Sequence, residues 1–464
     1  MSEAEIGVSI VILGVFLLAS HAFGYVAERL SQPRLIGEIL AGVVLGPFVL
    51  GKIASPGFTF LFTNPILGAP KTGFVLSFVY WLGLLLLMFI SGSEVQGLLS
   101  TSTRRETAWL LGVGKSLPFA LVIVIGLAGA IPMDSLIGVH GTKLSTLLVL
   151  ATAAAVTSIP VISRIFQDLG ILHTRFASLI LGTAMLEDVG LWGVLAIAIA
   201  LSEHNVSSGD GLIATNAYHI AISFAYIGFA MLVVPRVLRT IRRSDDSGMS
   251  QHSLVTYAIA LLCFFVGVAA GLGVSTVFAA FLAGYALING IRDREKSALN
   301  VTLKTIKAVA FGVFVPIYFA IVGYRLSFGN DFSAGMLLTF MVGSSLLVLI
   351  FVGLAAKLAG FRGLDILNFA IVANARGGPG IVLASIAFDA GLISGAFCTT
   401  LVITALFTSQ IAGSWLRFVL RRDWPLLSTN PDEKAADFSL PAPSRPLLTP
   451  EFDFPRGESR SRIT

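Results

Sequence analysis

The chain has 464 residues, of which 55% are hydrophobic and 12% charged, with a formal net charge of +5. Soluble domains carry about 25% charged residues, so this composition excludes a soluble enzyme or binding domain and marks an integral membrane protein. The basic residues fall in short loops between apolar runs, which gives the positive charge no nucleic-acid role.

Apolar runs long enough to cross a bilayer as helices recur along the whole chain. The first, 6–27, follows the opening MSEAEIGVSI, which lacks the basic start and small-residue cleavage site of a removable signal, so it is expected to stay as a span. The second, 35–52, carries Glu38 just inside its first turn, where an acid complements the helix dipole; a structural or gating role is the other reading. The runs 74–98 and 107–131 hold Glu94 and Lys115, both read as reaching the interface from span ends. Next, 144–166 contains ATAAAVTSIPVISRIF, where Pro160 cannot continue a helix and Thr157 and Ser158 offer oxygens to freed backbone groups.

The run 176–201 contains GTAMLEDVGLWG, which sets Glu187 and Asp188 side by side at a depth where one charge costs several kcal/mol. Spans at 213–236, 253–270, 272–290, 305–324 and 333–358 follow. In 366–389 the stretch VANARGGPGIVLASIAF brings Gly377, Gly378, Pro379 and Gly380 together, which disfavours an unbroken helix. The run 392–416 completes about thirteen spans. Cys263 and Cys398 lie inside apolar runs and read as packing residues, as do His21, His219 and Trp192.

Loop charge orients the chain. Arg29 and Arg34, Arg104 and Arg105, and Arg164 and Arg175 open a series of basic clusters in every second loop. The intervening loops hold little beyond Lys52, Lys71, Lys143 and Arg325. This is the positive-inside pattern of a multi-pass cell-membrane protein with its N-terminus outside and its C-terminus in the cytoplasm. Residues 1–421 form the transmembrane domain. The segment 422–464, rich in Pro, Ser and charge, reads as a disordered cytoplasmic tail able to bind a cytoplasmic partner.

Non-helical backbone at membrane depth survives only where it is buried in protein or lines a wet cavity. One interrupted span in each half points to inverted repeats with a site at their crossing. Adjacent helical residues point about 100° apart, so one of Glu187 and Asp188 faces a cavity while the other faces a protein neighbour, in either order. Arg376 is the basic residue expected deep in the second half, and a guanidinium there demands a carboxylate partner. A purely structural acid–arginine pair is the competing reading, and it leaves the second acid unexplained.

These motifs together resemble the monovalent cation:proton antiporters, in the branch that includes the bacterial Kef-type and plant CHX-type proteins. The resemblance rests on QPRLIGEILAGVVLGPFVLG at 32–51, LGLLLLMFISGSE at 82–94, TSIPVISRIFQDLGIL at 157–172, the acidic pair, AAFLAGYAL at 279–287, VPIYFAIVG at 315–323 and the NARGGPGIVL stretch. It implies an all-α polytopic fold with NhaA-type inverted repeats, a dimerisation bundle and a core with two crossed broken helices. It also implies a homodimer among membrane lipids that needs no cofactor and exchanges Na⁺ or K⁺ for protons. Asp188 would carry the cation or the proton, with Glu187, Thr157 and Ser158 lining the site and Pro160, Gly377, Gly378 and Pro379 breaking the helices.

Two departures from the family pattern stand out. Glu187 occupies a position usually held by Asp, Asn or Gln, and 333–358 lacks the lysine many relatives carry midway, with Ser344 and Ser345 in that region. Arg376 is the expected substitute for charge compensation. A guanidinium holding Glu187 ionised throughout implies one proton per cation; uptake of a proton by Glu187 as well would make it two. A sodium-coupled organic anion symporter on the same fold and a gated channel or sensor are the competing functions.

Overall fold

The computed structural model describes residues 3–30, 32–53, 70–94, 104–172, 174–203, 222, 225–226, 228–241, 251–291, 296–326, 328 and 332–427. The helices are α1 (Glu3–Arg29), α2 (Arg34–Leu45), α3 (Leu50–Ile53), α4 (Pro70–Ser93), α5 (Arg104–Leu111), α6 (Leu117–Leu127), α7 (Lys143–Ala155), α8 (Ile159–Asp168) and α9 (Arg175–Glu203). They continue with α10 (Val234–Ile241), α11 (Gln251–Gly271), α12 (Thr276–Gly290), α13 (Lys296–Val309), α14 (Val315–Arg325), α15 (Ala334–Leu358), α16 (Leu364–Val372), α17 (Gly377–Asp389) and α18 (Gly395–Arg421). Among the described residues, 10 helices are long and apolar enough to cross a membrane. The first part of the expected span 213–236, with His219, lies outside the described residues.

Among the described residues, three π turns interrupt helical spans, at Gly112–Ser116, Phe229–Val233 and Ala310–Phe314. Each lies just ahead of a proline: Pro118, Pro235 and Pro316. Proline has no amide hydrogen for the carbonyl one turn back, so the hydrogen-bond ladder slips and the preceding turn widens.

The helices sort into two bundles. α1, α2, α4 and α10–α14 pack on one another, as do α5–α9 and α15–α18. In the first bundle, α4 crosses α12 where a Cβ on Gly92 would overlap the Phe281 carbonyl and one on Gly284 the Phe89 carbonyl. α2 crosses α14 the same way, Gly42 lying on the Ala320 carbonyl and Gly323 on that of Ile39. Small residues at such reciprocal crossings let two backbones touch, which is how helices associate without a hydrophobic drive between them.

The second bundle holds both interrupted spans. Its loops pair at one end: Gly138 N donates to Leu392 O at 3.1 Å and His140 N to Gly391 O at 2.9 Å. Residues 422–427 of the expected tail are among the described residues. Leu426 and Leu427 are buried, and Asn368 Nδ2 on α16 donates to Leu426 O at 3.1 Å. This apolar dipeptide carries enough surface to dock; the rest of the tail lies outside the described residues.

Candidate functional site

Both interruptions fall slightly earlier than the helix breakers alone indicate. α7 ends at Ala155, Val156 is extended at φ −60 and ψ 141, and α8 starts at Ile159. α16 ends at Val372 and α17 starts at Gly377. Pro160, Gly377, Gly378 and Pro379 therefore lie in the first turns of the outgoing helices, not in the gaps. Proline suits a first turn because the amide it lacks has no partner there.

The two gaps cross in contact. Ser158 N donates to Ala375 O at 2.7 Å, and Thr157 Oγ1 donates to Ala373 O at 2.8 Å. Gly377 has φ +35, and a Cβ there would press into the Ser158 side chain, so only glycine fits the crossing. Hydroxyls from α18 satisfy the amides that open α17: Arg376 N donates to Thr408 Oγ1 at 3.4 Å and Gly377 N to Ser409 Oγ at 3.0 Å. The carboxyl ends of α7 and α16, the negative ends of their dipoles, thus meet beside the amino ends of α8 and α17.

Into this junction comes Lys115, which is only 4% exposed. Its Nζ donates to Ala155 O at 2.8 Å, to Ala373 O at 3.0 Å and to Thr157 Oγ1, and it lies 3.5 Å from Glu187 Oε2. The ammonium therefore sits among four oxygens drawn from both interrupted spans and from α9. Lys115 does not reach the membrane interface, as its place in the sequence led us to expect. The described helix starts at Arg104, so Lys115 is roughly 16 Å deep in a core about 30 Å thick. That is too deep for a lysine to snorkel out, and the π turn carries it inward. The signal was the GKSLP stretch, a lysine three residues before a span proline.

Asp188 is 2% exposed, and its Oδ1 has no hydrogen-bond partner among the described residues. Glu187 is buried beside it and pairs with Lys115. Of the two orders left open, Glu187 turns toward the Lys115 cation, 3.5 Å from its Oε2, while both Glu187 oxygens and Asp188 Oδ1 lack a hydrogen-bond partner among the described residues. A small cavity lined by Lys115, Thr157, Thr183, Ala184 and Ala373 adjoins the pair.

Arg376 is buried too, at 2% exposure, but its partners are not the expected carboxylates. Nη1 donates to Ser344 Oγ at 2.8 Å, and Nη2 donates at 3.3 Å to Ala154 O and at 3.3 Å to Asn374 Oδ1. Arg376 projects from the gap toward α7 and α15, and the cation that lies within 4 Å of Glu187 is Lys115. Ser344 on α15 is the hydroxyl that receives the arginine. Glu38 is buried on α2 in the other bundle and does not join the crossing. Trp192 is buried in the core cluster, as a packing residue should be.

Comparison with known proteins agrees with this architecture. The family description "sodium/hydrogen exchanger, transmembrane" matches residues 14–422. Cation/H⁺ antiporter 18 of Arabidopsis thaliana is 26% identical over 86% of this chain and 47% of its own length. The K⁺/H⁺ antiporter 1 of Saccharomyces cerevisiae is 27% identical over 86% of this chain and 44% of its own length. The chain therefore spans about half the length of these relatives. It matches 95% of the Na⁺/H⁺-K⁺ antiporter GerN of Bacillus cereus, at 26% identity over 88% of this chain. The sodium proton antiporter MjNhaP1 of Methanocaldococcus jannaschii shares the fold, with a TM-score of 0.59 over 90% of this chain and 99% of its own, at 17% identity. With two crossed interrupted helices around a buried acid pair, and a family match over nearly its whole described length, the chain belongs to the transmembrane sodium/hydrogen exchanger family, a family of transporters and not of enzymes.

Proposed function

We propose that the chain exchanges protons for a monovalent cation, Na⁺ or K⁺, by alternating access, with Asp188 as the exchanged carboxylate. The activities for which the plant, yeast and bacterial relatives are named support the class of reaction. The observation that carries the reading is the seat of the Lys115 ammonium. Two carbonyls, a hydroxyl and a carboxylate hold a protonated amine where the interrupted helices cross. Hard monovalent cations want oxygen ligands of this kind. A cage suited to an ammonium is suited to such an ion, and the two compete for it.

Charge bookkeeping then gives the stoichiometry. With Asp188 protonated, Glu187 ionised and Lys115 charged, the three groups sum to zero. With a cation bound by two ionised carboxylates and Lys115 neutral, the same groups and the ion carry one net negative charge. Two protons trade for one cation, and Lys115 carries the second. This revises the one-for-one expectation, which rested on a guanidinium that stays protonated; a buried lysine gives up its proton far more readily.

In this reading the chain has about thirteen spans, with α7–α8 and α16–α17 as corresponding members of inverted repeats. Proton release on adding Na⁺ or K⁺ to proteoliposomes tests the exchange. A symporter of organic anions or a channel would release none, and that result would overturn the reading.

A further inference from the structure

Asp389 ends α17, the helix that leaves the crossing, and both of its carboxylate oxygens are committed to the other bundle. Arg325 Nη1, at the end of α14, donates to Asp389 Oδ1 at 2.8 Å. The Tyr80 hydroxyl on α4 donates to Asp389 Oδ2 at 2.7 Å. The Arg325 guanidinium lies 4.5 Å from the centre of the Tyr80 ring, closing a triangle. The pairs Glu94–Lys307, Arg175–Glu106 and Lys115–Glu187 each join helices of one bundle, whereas Arg325–Asp389 joins the two. α17 starts at the site and ends at Asp389, so any displacement of the site-bearing bundle pulls on this carboxylate.

We propose that Asp389 is a positioning residue for exchange: a latch, held by Arg325 and Tyr80, that stabilises the bundle arrangement seen here and opens when the site turns toward the other face. The inference rests on the alternating-access reading. The ion pair is partly exposed, with side-chain exposures of 35% for Arg325 and 19% for Asp389, so solvent weakens it. One screened ion pair and one phenol hydrogen bond together bias the two arrangements by about five- to thirtyfold. A contact of that strength holds the carrier without freezing it.

Ser385 is buried beneath the latch, lining the cleft with Tyr80, Leu326 and Cys398. The first test uses Ser385→Cys in a carrier whose Cys263 and Cys398 are replaced by serine, labelled with a small water-soluble maleimide. Asp389→Asn should raise the labelling rate about five- to thirtyfold, and the swapped pair Asp389→Arg with Arg325→Asp should bring it back down. An unchanged rate in Asp389→Asn, or a swapped pair that labels as fast as the single variant, would overturn the latch.

This readout needs no transport, so it stands apart from failure of the exchange reading. A second arm uses proteoliposomes carrying Arg325→Cys and Asp389→Cys in the same background, bridged by a short bis-methanethiosulfonate that forms a disulfide with each thiol and releases methanesulfinate. Bridging should stop cation-driven proton flux, and reductant should restore it. Flux that survives complete bridging contradicts the proposal.

Discussion

Lys115 Nζ lies 3.5 Å from Glu187 Oε2, with one further contact to a carbonyl at the carboxyl end of each interrupted span. The pair ties α9 to the crossing and places an ammonium among the oxygens where the interrupted spans meet. It exists because Pro118 widens the turn that carries Lys115, which turns a surface-type residue into the centre of the site.

Lys115→Met removes the ammonium while keeping a stem of similar length, leaving the Glu187 charge buried and uncompensated. We expect a loss of about 3–5 kcal/mol, the cost of breaking a buried pair from one side. Adding Glu187→Gln removes the stranded charge and should recover part of that loss. Thermal unfolding of the three variants in detergent checks this. A double variant no more stable than Lys115→Met would place the partner of Lys115 elsewhere.

Arg376 should behave differently, because its bonds run to Ser344, Asn374 and a carbonyl of α7. Arg376→Ala strands those acceptors and should cost at least about 1.5–3 kcal/mol, the range for hydrogen bonds to a charged group. Here Glu187→Gln should give no rescue. Recovery of stability in the Arg376→Ala, Glu187→Gln double variant would show a direct acid–arginine pair and contradict the geometry.

The close helix crossings of the first bundle can be tested with single methyl groups. Gly284→Ala pushes a Cβ into the Phe89 carbonyl, a backbone atom that cannot rotate away. Overpacking of this kind costs about 1–3 kcal/mol, and more where the backbone is fixed. Gly267→Ala on α11 meets nothing within 4 Å and should be neutral or stabilising. Equal melting temperatures for the two variants would mean that α4 and α12 do not touch as described.

Much of this fold could be read from the residues, because membrane spans announce themselves by length and apolarity. The two interruptions were legible from Pro160 and from the Gly377–Gly380 run, and the acid pair from its depth. What could not be read was pairing across space. Arg376 and Lys115 are both cations inside spans, and distance along the chain does not show which one meets Glu187. The deciding feature is the π turn at Gly112–Ser116, a backbone detail that hydropathy does not register. The Asp389 latch was equally hidden, since a carboxylate at a span end reads as an interface residue until its neighbours are known.

The proposed stoichiometry turns on Lys115. If it surrenders its proton to admit the cation, exchange moves net charge, and each elementary charge is worth about 2.3 kcal/mol per 100 mV. With the voltage clamped by an ionophore for an ion other than the one exchanged, wild-type rates and the reversal condition should shift with potential. Lys115→Arg keeps a permanently protonated cation, so any exchange it retains should lose that dependence. Wild-type exchange indifferent to voltage would return the system to one proton per cation.

The most direct test of competition at the crossing is cation-driven proton flux through Asp188→Asn. Asparagine keeps the shape of the side chain and abolishes its charge, so the variant should fold and reconstitute like the wild type. In proteoliposomes with an acidic lumen and the voltage clamped near zero, external Na⁺ or K⁺ should alkalinise the wild-type lumen. Less cation should be needed as external pH rises, because fewer protons contest the site. Asp188→Asn should give no alkalinisation above protein-free vesicles at any pH. Wild-type rates in Asp188→Asn would contradict the account.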